Sequence, residues 1–221
     1  MDTRKAVVVK PRRVRTARVG GRRGLVQLDK LFEGISGFGG MGVEGFVTTY
    51  GEVTSAGIQM MSDVFKKVTP IASFGSHQRV FYDLGCGVGK VVVGMAILHP
   101  ELKCRGIEIV PERIRQAGVA TGRITVKSLA ARIKFQNGSF LAPEVHLRDA
   151  AYIFVSNLCL TAESQQQLGE KMERECSAGC VVVASKEFPF RADGPFRIVE
   201  SDAAVPMTWS ADSKARVYRR I

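Results

Sequence analysis

The amino-acid sequence predicts an α/β fold built on a seven-stranded, doubly wound and mostly parallel sheet with a hairpin end. Two observations predict it. Between residues 79 and 186, apolar strand-like segments alternate with helix-like segments, an order that places helices on both faces of a parallel sheet. The last two strand-like segments, 196–202 and 216–221, follow each other with no helical pattern between them. Of the 221 residues, 45% are hydrophobic and 24% charged, as in ordinary globular domains.

The N-terminal part of the predicted domain contains two helices and a glycine-rich loop. Residues 25–32 are a short predicted helix, and residues 34–45 hold six glycines, too many for the interior of a helix or strand. A longer helix is predicted from Thr54, because Thr54 and Ser55 can cap its start and apolar residues recur at helical spacing until Pro70.

Strands and helices alternate in the remainder of the chain. Each predicted strand is a short apolar run, and Pro111 begins one helix because proline favours a first helical turn. Thr161 is the predicted cap of another helix. In chain order, the predicted strands are 79–84, 103–109, 132–136, 151–156 and 180–186, and the helices between them are 91–98, the helix from residue 111, and 161–175.

Positive charge is concentrated at the N-terminus. The net charge is +11, and residues 1–24 hold nine Lys or Arg and one acid. We therefore expect a disordered basic arm over residues 1–24 and one domain over 25–221, in which 25–78 form a cap with a substrate and cofactor loop and 79–221 form the core. The basic arm suits DNA, and its basic sequence also predicts import into the nucleus; a solubilising tail is the alternative.

Composition excludes a membrane protein and a disulfide-stapled scaffold. No apolar run reaches the roughly 18 residues of a membrane-spanning helix, so we expect no membrane partner. The five cysteines are an odd number and are scattered, which indicates reduced thiols packed as small apolar side chains. No metal-type cysteine pair occurs, and we expect no metal site.

The clearest functional motif follows the first predicted strand. Residues 83–90 read Asp-Leu-Gly-Cys-Gly-Val-Gly-Lys and stand between a strand and a helix, where glycines let the backbone approach a ligand. Glu108 comes 19 residues after Gly89, at the end of the next strand, where an acid can accept hydrogen bonds from both hydroxyls of a ribose. The combination predicts a ligand that contains a nucleoside.

The spacing of the glycines distinguishes between such ligands. A dinucleotide fingerprint has its third glycine at position 90, where this chain has Lys90. The observed pattern, an acid followed by G-x-G-x-G, resembles instead the first motif of class I S-adenosylmethionine methyltransferases. A dinucleotide oxidoreductase and a purely structural glycine turn remain alternatives.

A finer resemblance extends over residues 46–221. Residues 46–54 and 58–63 resemble the Tyr-Gly-Glu segment and the following helix of the Dot-one family (disruptor of telomeric silencing), the histone lysine methyltransferases without a SET domain. The resemblance to this family continues at residues 83–92, 106–108, 138–141, 153–158 and 182–188. It includes Trp209, since the family has a tryptophan before its last strand. The resemblance is to a short member of the kind found in kinetoplastid protozoa.

The resemblance implies a histone-lysine N-methyltransferase that transfers methyl groups from S-adenosylmethionine to a lysine of nucleosomal histone H-three. It implies the nucleosome, histone H-three and, through the basic arm, DNA as partners, and we expect a monomer. Methyl transfer to an amine is an in-line displacement that requires the neutral lysine, which a narrow apolar channel favours. Two alternatives stay open: another class I methyltransferase acting on RNA or a basic protein, and a non-catalytic chromatin-binding module.

The resemblance also assigns two sets of site residues. The expected cofactor-binding residues are Tyr50, Glu52, Val53, Thr54, Asp83, Gly85, Gly87, Gly89, Lys90, Glu108, Ser139, Phe140 and Asn157. The expected catalytic residues, which wall the lysine channel, are Tyr50, Ser156, Asn157, Leu158, Leu160 and Trp209. The chain departs from the family pattern at five of these positions: Ser139 replaces an acid, Ser156 an asparagine, Lys90 a glutamine, and Leu158 and Leu160 aromatic residues.

Overall fold

The computed structural model of the protein describes residues 22–38 and 51–221. The basic arm before Arg22, most of the predicted glycine loop, and Tyr50 lie outside the described residues. Within those two ranges, no helix has both the length and the apolar character needed to cross a membrane.

Six helices and seven strands make up the described part of the chain. The helices are α1 (Arg22–Leu31), α2 (Ser55–Val68), α3 (Lys90–Leu98), α4 (Pro111–Gly122), α5 (Lys127–Ala130) and α6 (Ala162–Glu175). The strands are β1 (Val80–Leu84), β2 (Lys103–Glu108), β3 (Ile133–Asn137), β4 (Ala150–Val155), β5 (Val181–Ala184), β6 (Phe196–Ala204) and β7 (Lys214–Arg220). All seven predicted strands are confirmed.

The helices differ from the predicted ones in two places. α1 begins at Arg22, three residues before the predicted start and inside the stretch predicted as the basic arm. Its Leu25, Leu28 and Leu31 are buried, so packing against the core holds this helix in place. α5 has no counterpart among the predicted elements, because four residues are too few for a helical apolar period to show.

The strands form one sheet in the order β3-β2-β1-β4-β5-β7-β6. Strands β1 to β5 pair in parallel, whereas β7 is antiparallel to both β5 and β6. This confirms the doubly wound sheet with a hairpin end. The strand order reverses between β1 and β4, and at such a switch point the loops after the two strands leave a crevice at the carboxyl edge of the sheet.

Each face of the sheet carries its own apolar core. Helices α1 to α5 pack on the first face and α6 on the second, and the side chains of β1 alternate between them, with Phe81 on the first face and Tyr82 and Leu84 on the second. Burial on both faces is typical of central parallel strands. On the second face, beside α6, the cover is formed by irregular segments, because no helix lies between β3 and β4.

Two segments far apart in sequence meet next to the carboxyl edge. Val53 and Met207 form an isolated β-bridge, and the Thr54 N–H donates to the Pro206 carbonyl at 3.0 Å. The Thr54 hydroxyl accepts from the Gly57 N–H at 3.0 Å, which confirms the predicted cap of α2. These contacts hold the start of α2 against the segment that precedes β7.

Candidate active site

A cavity of about 470 Å³ lies at the carboxyl ends of β1, β2 and β4, at the switch point of the sheet. Small-molecule sites typically enclose about 300–1,000 Å³. Both predicted sets of residues contribute to its wall. The predicted residues that line it are Glu52, Val53, Asp83, Gly85, Gly87, Lys90, Glu108, Ser139, Phe140, Ser156, Leu158, Leu160 and Trp209.

The turn from β1 to α3 forms one wall of the cavity. Gly85, Gly87 and Gly89 have φ values of +87°, +54° and +83°, in the left-handed region that glycine enters without strain. A Cβ placed on Gly85 meets nothing within 4 Å, so this glycine leaves open space at the cavity. A Cβ on Gly89 would overlap the ring of Phe135. Gly89 therefore allows α3 to pack closely on β3, while Gly85 keeps the cavity open.

Glu108, at the end of β2, is a buried carboxylate held by two backbone donors. Its Oε2 accepts from the Gly87 N–H at 2.9 Å, and its Oε1 accepts from the Val110 N–H at 2.9 Å. The Arg113 guanidinium lies 3.9 Å from Oε1. Each carboxylate oxygen can accept two hydrogen bonds, so both oxygens retain acceptor capacity for adjacent hydroxyl groups of a ligand.

Asp83, at the carboxyl end of β1, is a buried acid without a donor. The residue is 2% exposed and lines the cavity, and among the described residues no group donates a hydrogen bond to its carboxyl. Burial and, second, the charge of Glu108 raise the pKa of Asp83 well above its usual value. A buried carboxyl without a partner is costly, so the cavity favours a ligand that brings a donor or a positive charge to this point.

Lys90, the first residue of α3, connects three elements in the cavity wall. Its side chain is only 14% exposed, and its Nζ lies 2.9 Å from Asp29 of α1 and 3.7 Å from Glu52. Asp29 also accepts from the Ser55 hydroxyl at 3.1 Å. The first helix therefore contacts the cavity wall through Asp29, an acid that the sequence motifs do not assign to the site.

Three of the residues expected to form the lysine channel, Leu158, Leu160 and Trp209, lie on a mainly apolar part of the wall. Leu158, Cys159 and Leu160 follow β4 at a single turn of 3-10 helix and are half-buried. Trp209 is 50% exposed and lies over Gly51, where any Cβ would overlap its ring. This part of the cavity can contact both a ligand inside and a side chain that enters from the surface.

The turn after β3 completes the wall. The Gly138 N–H donates to the Glu108 carbonyl at 3.0 Å, which ties the turn to the end of β2. The Ser139 hydroxyl accepts from the Leu141 N–H at 3.1 Å and so closes the turn. Phe140, the next residue, presents an aromatic ring at the cavity.

The chain matches known proteins over most of its length. A sequence model of the family described as "Histone methylation protein DOT1" matches residues 44–216. The chain belongs to this family. A protein-lysine N-methyltransferase of Saccharolobus islandicus is 30% identical to the DOT1-family chain over 137 residues, which are 62% of this chain and 79% of the relative.

Solved structures share the fold of this DOT1-family chain at low sequence identity. The antibiotic-resistance methyltransferase Kmr has a TM-score of 0.50 at 18% identity, over 68% of this chain and 90% of Kmr. A MtNAS mutant in complex with S-adenosylmethionine has a TM-score of 0.50 at 9% identity, over 75% of this chain and 62% of MtNAS. The fold is that of the class I methyltransferases, as the glycine spacing predicts.

Among the predicted site residues that the structure describes, three lie outside the cavity lining: Thr54, Gly89 and Asn157. Asn157 is fully buried, and its amide is occupied by the protein, with Nδ2 donating to Gln165 at 2.9 Å and Oδ1 accepting from the Lys186 N–H at 2.7 Å. The place of Asn157 in the channel wall stays a prediction. Its side chain joins the end of β4 to α6 and to the segment after β5.

Sequence reasoning misses several lining residues of the DOT1-family site. Most of them are neighbours of predicted residues, and a wider window around each motif would include them. Met207 lies two residues before Trp209, and its β-bridge with Val53 places it beside the start of α2. The missed lining residues include Cys86, Val91, Arg113, Gly138, Leu141, Cys159, Thr161, Ser164 and Met207.

Proposed function

We propose that this chain is an S-adenosylmethionine-dependent lysine N-methyltransferase that acts on histone H-three of the nucleosome, in the nucleus. The observation that carries the proposal is one cavity that holds both an unpartnered buried acid, Asp83, and a fixed carboxylate, Glu108, in a DOT1-family chain. The name of the Saccharolobus relative supports lysine as the acceptor. The description of the family supports a histone substrate and hence a nuclear location.

The cavity residues fit S-adenosylmethionine. Glu108 would accept from the two ribose hydroxyls with the acceptor sites that its backbone donors leave unused. Asp83 would lie near a positively charged group of the cofactor. Gly85 leaves the space that the ligand needs, and Phe140 offers a ring for contact with the adenine. When bound, the cofactor supplies an electrophilic methyl group on a sulfonium sulfur.

The apolar part of the wall would receive the acceptor lysine. A lysine side chain has an ordinary pKa of about 10.4, and it must lose its proton before its nitrogen lone pair can react. Leu158, Leu160 and Trp209 carry no charge, so they exclude water and disfavour the ammonium form. The same side chains restrict the orientation of the lysine, which places its lone pair for an in-line displacement.

We also propose that the basic arm contacts nucleosomal DNA and that the protein acts as a monomer. The arm holds nine of the 32 Lys and Arg residues in only 24 residues, against a single acid. Such a charge density favours a polyanion, and the DNA of the proposed substrate is one.

Mass spectrometry of the reaction products tests the proposal. The full chain is incubated with S-adenosylmethionine and, in separate reactions, with nucleosomes, histone octamers and RNA. We expect methyl groups on a lysine of histone H-three, with faster modification of nucleosomes than of octamers. Glu108→Gln is the matched control, because it removes the charge and keeps the size of the side chain. Methylation of RNA or of another protein alone would contradict the histone assignment, and cofactor binding without any product would favour the non-catalytic module.

A further inference from the structure

The second face of the sheet has an uncovered groove beside β1, β2 and β3. In a doubly wound fold a helix usually connects consecutive parallel strands, but residues 138–149, between β3 and β4, form no helix. This irregular segment covers the sheet only in part and leaves a concavity of about 370 Å³ whose wall includes Tyr82, Arg105, Lys134 and Arg148. None of these residues lines the candidate active site.

Two cations of this groove stand opposite each other. Arg105 of β2 pairs with Lys134 of β3 in the parallel ladder, and both side chains line the groove. Like charges at directly opposed positions of a sheet are destabilising. Neither of them, nor Arg148, forms an ion pair with any acid of the described residues. The groove therefore carries three cations against two acids, Glu144 and Asp149, and positive charge is in excess.

The Arg105 guanidinium also has a donor without an acceptor. Its Nε is buried and has no hydrogen-bond partner in the described part of the chain, although buried donors are nearly always paired. One acid of the groove, Asp149, is already engaged, since it accepts from the Tyr82 hydroxyl at 2.9 Å. The other acid, Glu144, is exposed. The Arg105 guanidinium also interacts with the Tyr82 hydroxyl. An external anion with several oxygen atoms would supply the counter-charge that Arg105, Lys134 and Arg148 do not receive from ion pairs within the described residues.

We propose that this groove binds the phosphodiester backbone of nucleosomal DNA. The planar guanidinium of Arg105 and the ammonium of Lys134 both suit phosphate oxygens, and Arg148 extends the positive charge along the groove. The choice of DNA rests on the proposed function, because the nucleosome is the polyanion that this function presents. The groove is a second contact with DNA, built on the sheet and separate from the basic arm.

Fluorescence polarisation of a short DNA duplex, titrated with the full chain over a series of salt concentrations, tests this proposal. Each phosphate contact contributes about 0.9 to the slope of log affinity against log salt. The double variant Arg105→Gln with Lys134→Gln should therefore flatten the slope by about 1.8, and at about 0.15 M salt its affinity should fall about 30-fold. Lys127→Gln, which removes an exposed charge on α5, is the matched control and should leave the slope unchanged.

A single variant keeps the test valid if the double variant does not fold. Lys134 is exposed, so Lys134→Gln should fold and should flatten the slope by about 0.9. Thermal unfolding and calorimetry with S-adenosylmethionine verify that each variant is intact. Unchanged slopes in both variants overturn the proposal. The variants are also titrated with inorganic phosphate and with a polyglutamate peptide. If a variant loses binding to either of these anions but binds DNA with the slope of the full chain, the proposal is overturned, because the groove then binds an anion other than DNA. These titrations measure no methylation, so the proposed activity and the DNA groove can fail independently.

Discussion

At the scale of single residues, the candidate site contains carboxyl groups in three different electrostatic states. Glu108 is fixed by two backbone N–H groups, whereas Asp83 has no donor within the described residues and a raised pKa. Asp29 and Glu52 share the ammonium of Lys90. The first state suits ligand hydroxyls, the second suits a cationic group, and the third positions a protein side chain.

Replacing Glu108 with glutamine should weaken S-adenosylmethionine binding by about 10- to 150-fold. The reason is the loss of hydrogen bonds to a charged acceptor, which contribute about 1.5–3 kcal/mol. Isothermal titration calorimetry measures the affinity. Glu112→Gln changes an acid on α4 whose partner is the exposed Arg115, and it should leave the affinity unchanged. An unaltered affinity in the Glu108 variant would remove this residue from the cofactor site.

Asp29→Asn should weaken cofactor binding a few-fold, and only while Lys90 is present. Asp29 is 61% exposed and does not line the cavity, and of its two contacts, with Lys90 at 2.9 Å and with the Ser55 hydroxyl, only Lys90 lines the cavity, so we expect its effect to pass through Lys90. In a Lys90→Gln background, which restores the glutamine of the resembled family, Asp29→Asn should change little. Calorimetry on the four proteins of this cycle measures the coupling. Equal losses in both backgrounds would show that Asp29 acts only on α1 itself.

At the scale of elements, the turn between β1 and α3 should tolerate no side chain at Gly85. Its φ of +87° costs a non-glycine residue about 1–2 kcal/mol, and the added Cβ would enter the cavity. Gly85→Ala should therefore lower the melting temperature by about 2–8 °C and also weaken cofactor binding.

Gly118→Ala is the matched control for the turn. Gly118 lies inside α4, has open space where a Cβ would lie, and does not have a left-handed φ. Alanine there should raise stability by up to about 1 kcal/mol and leave the affinity for the cofactor unchanged. Calorimetric scans with and without S-adenosylmethionine separate the two effects. If Gly85→Ala behaved like Gly118→Ala, the assignment of the turn would be wrong.

The junction of α2 with the end of α3 contains a buried histidine. His99 contacts the Ser62 hydroxyl through Nε2 at 2.9 Å and Glu101 through Nδ1 at 3.3 Å. Burial and, second, the charge of Lys66 lower the pKa of His99, while Glu101 and Asp63 act in the opposite direction. The folded protein therefore holds this imidazole in its neutral form to lower pH than the unfolded chain does.

This junction predicts a loss of stability in mild acid. Below the unfolded histidine pKa of about 6.5, the unfolded state binds more protons than the folded state, so the free energy of unfolding should fall as the pH decreases. Above about pH 7 the contribution of His99 should be constant. Urea unfolding between pH 5 and 7.5 should show a smaller pH slope in His99→Gln, whereas the exposed His77→Gln should keep the wild-type slope. Identical slopes in all three proteins would contradict the role of His99.

The elements that the sequence predicts well are those whose signal is local. The apolar runs of β1, β4 and β5 are buried on both faces, and Thr54 and Thr161 accept from their helices as caps. Signals that depend on distant partners are not visible in the sequence. Asn157 lies next to residues that do line the cavity, but its amide is bound to Gln165 and Lys186.

At the scale of the whole molecule, the predicted motifs converge on one cavity because parallel strands bring their carboxyl ends to one edge. That rule predicts that Asp83 and Glu108 lie together at the cavity. The rule does not predict the contact of Asp29 with Lys90, since that contact requires α1 to pack beside α3. The groove beside Arg105 is likewise not predicted by the sequence motifs, because it depends on the absence of a helix between β3 and β4. The sequence motifs therefore indicate the residues of the cavity better than they indicate the surfaces around it.

The two proposed DNA contacts should add to each other. Residues 1–21, the part of the basic arm before α1, hold seven Lys or Arg and one acid. If about half of these cations contact phosphates, deleting residues 1–21 should flatten the salt slope of nucleosome binding by about 3 units. The affinity for S-adenosylmethionine should not change, because no residue of the arm belongs to the glycine motif or follows a strand of the sheet.

The deletion also separates binding from chemistry. Activity on nucleosomes should fall at physiological salt, whereas activity on a short histone peptide, which carries no DNA, should stay close to that of the full chain. Combining the deletion with Lys134→Gln should flatten the slope by about 0.9 beyond the deletion alone, because separate phosphate contacts contribute independently. Fluorescence polarisation with labelled nucleosomes measures both slopes. A truncated protein that binds nucleosomes with the original affinity and slope would leave the arm without a role in DNA binding and would assign its charge to nuclear import or solubility.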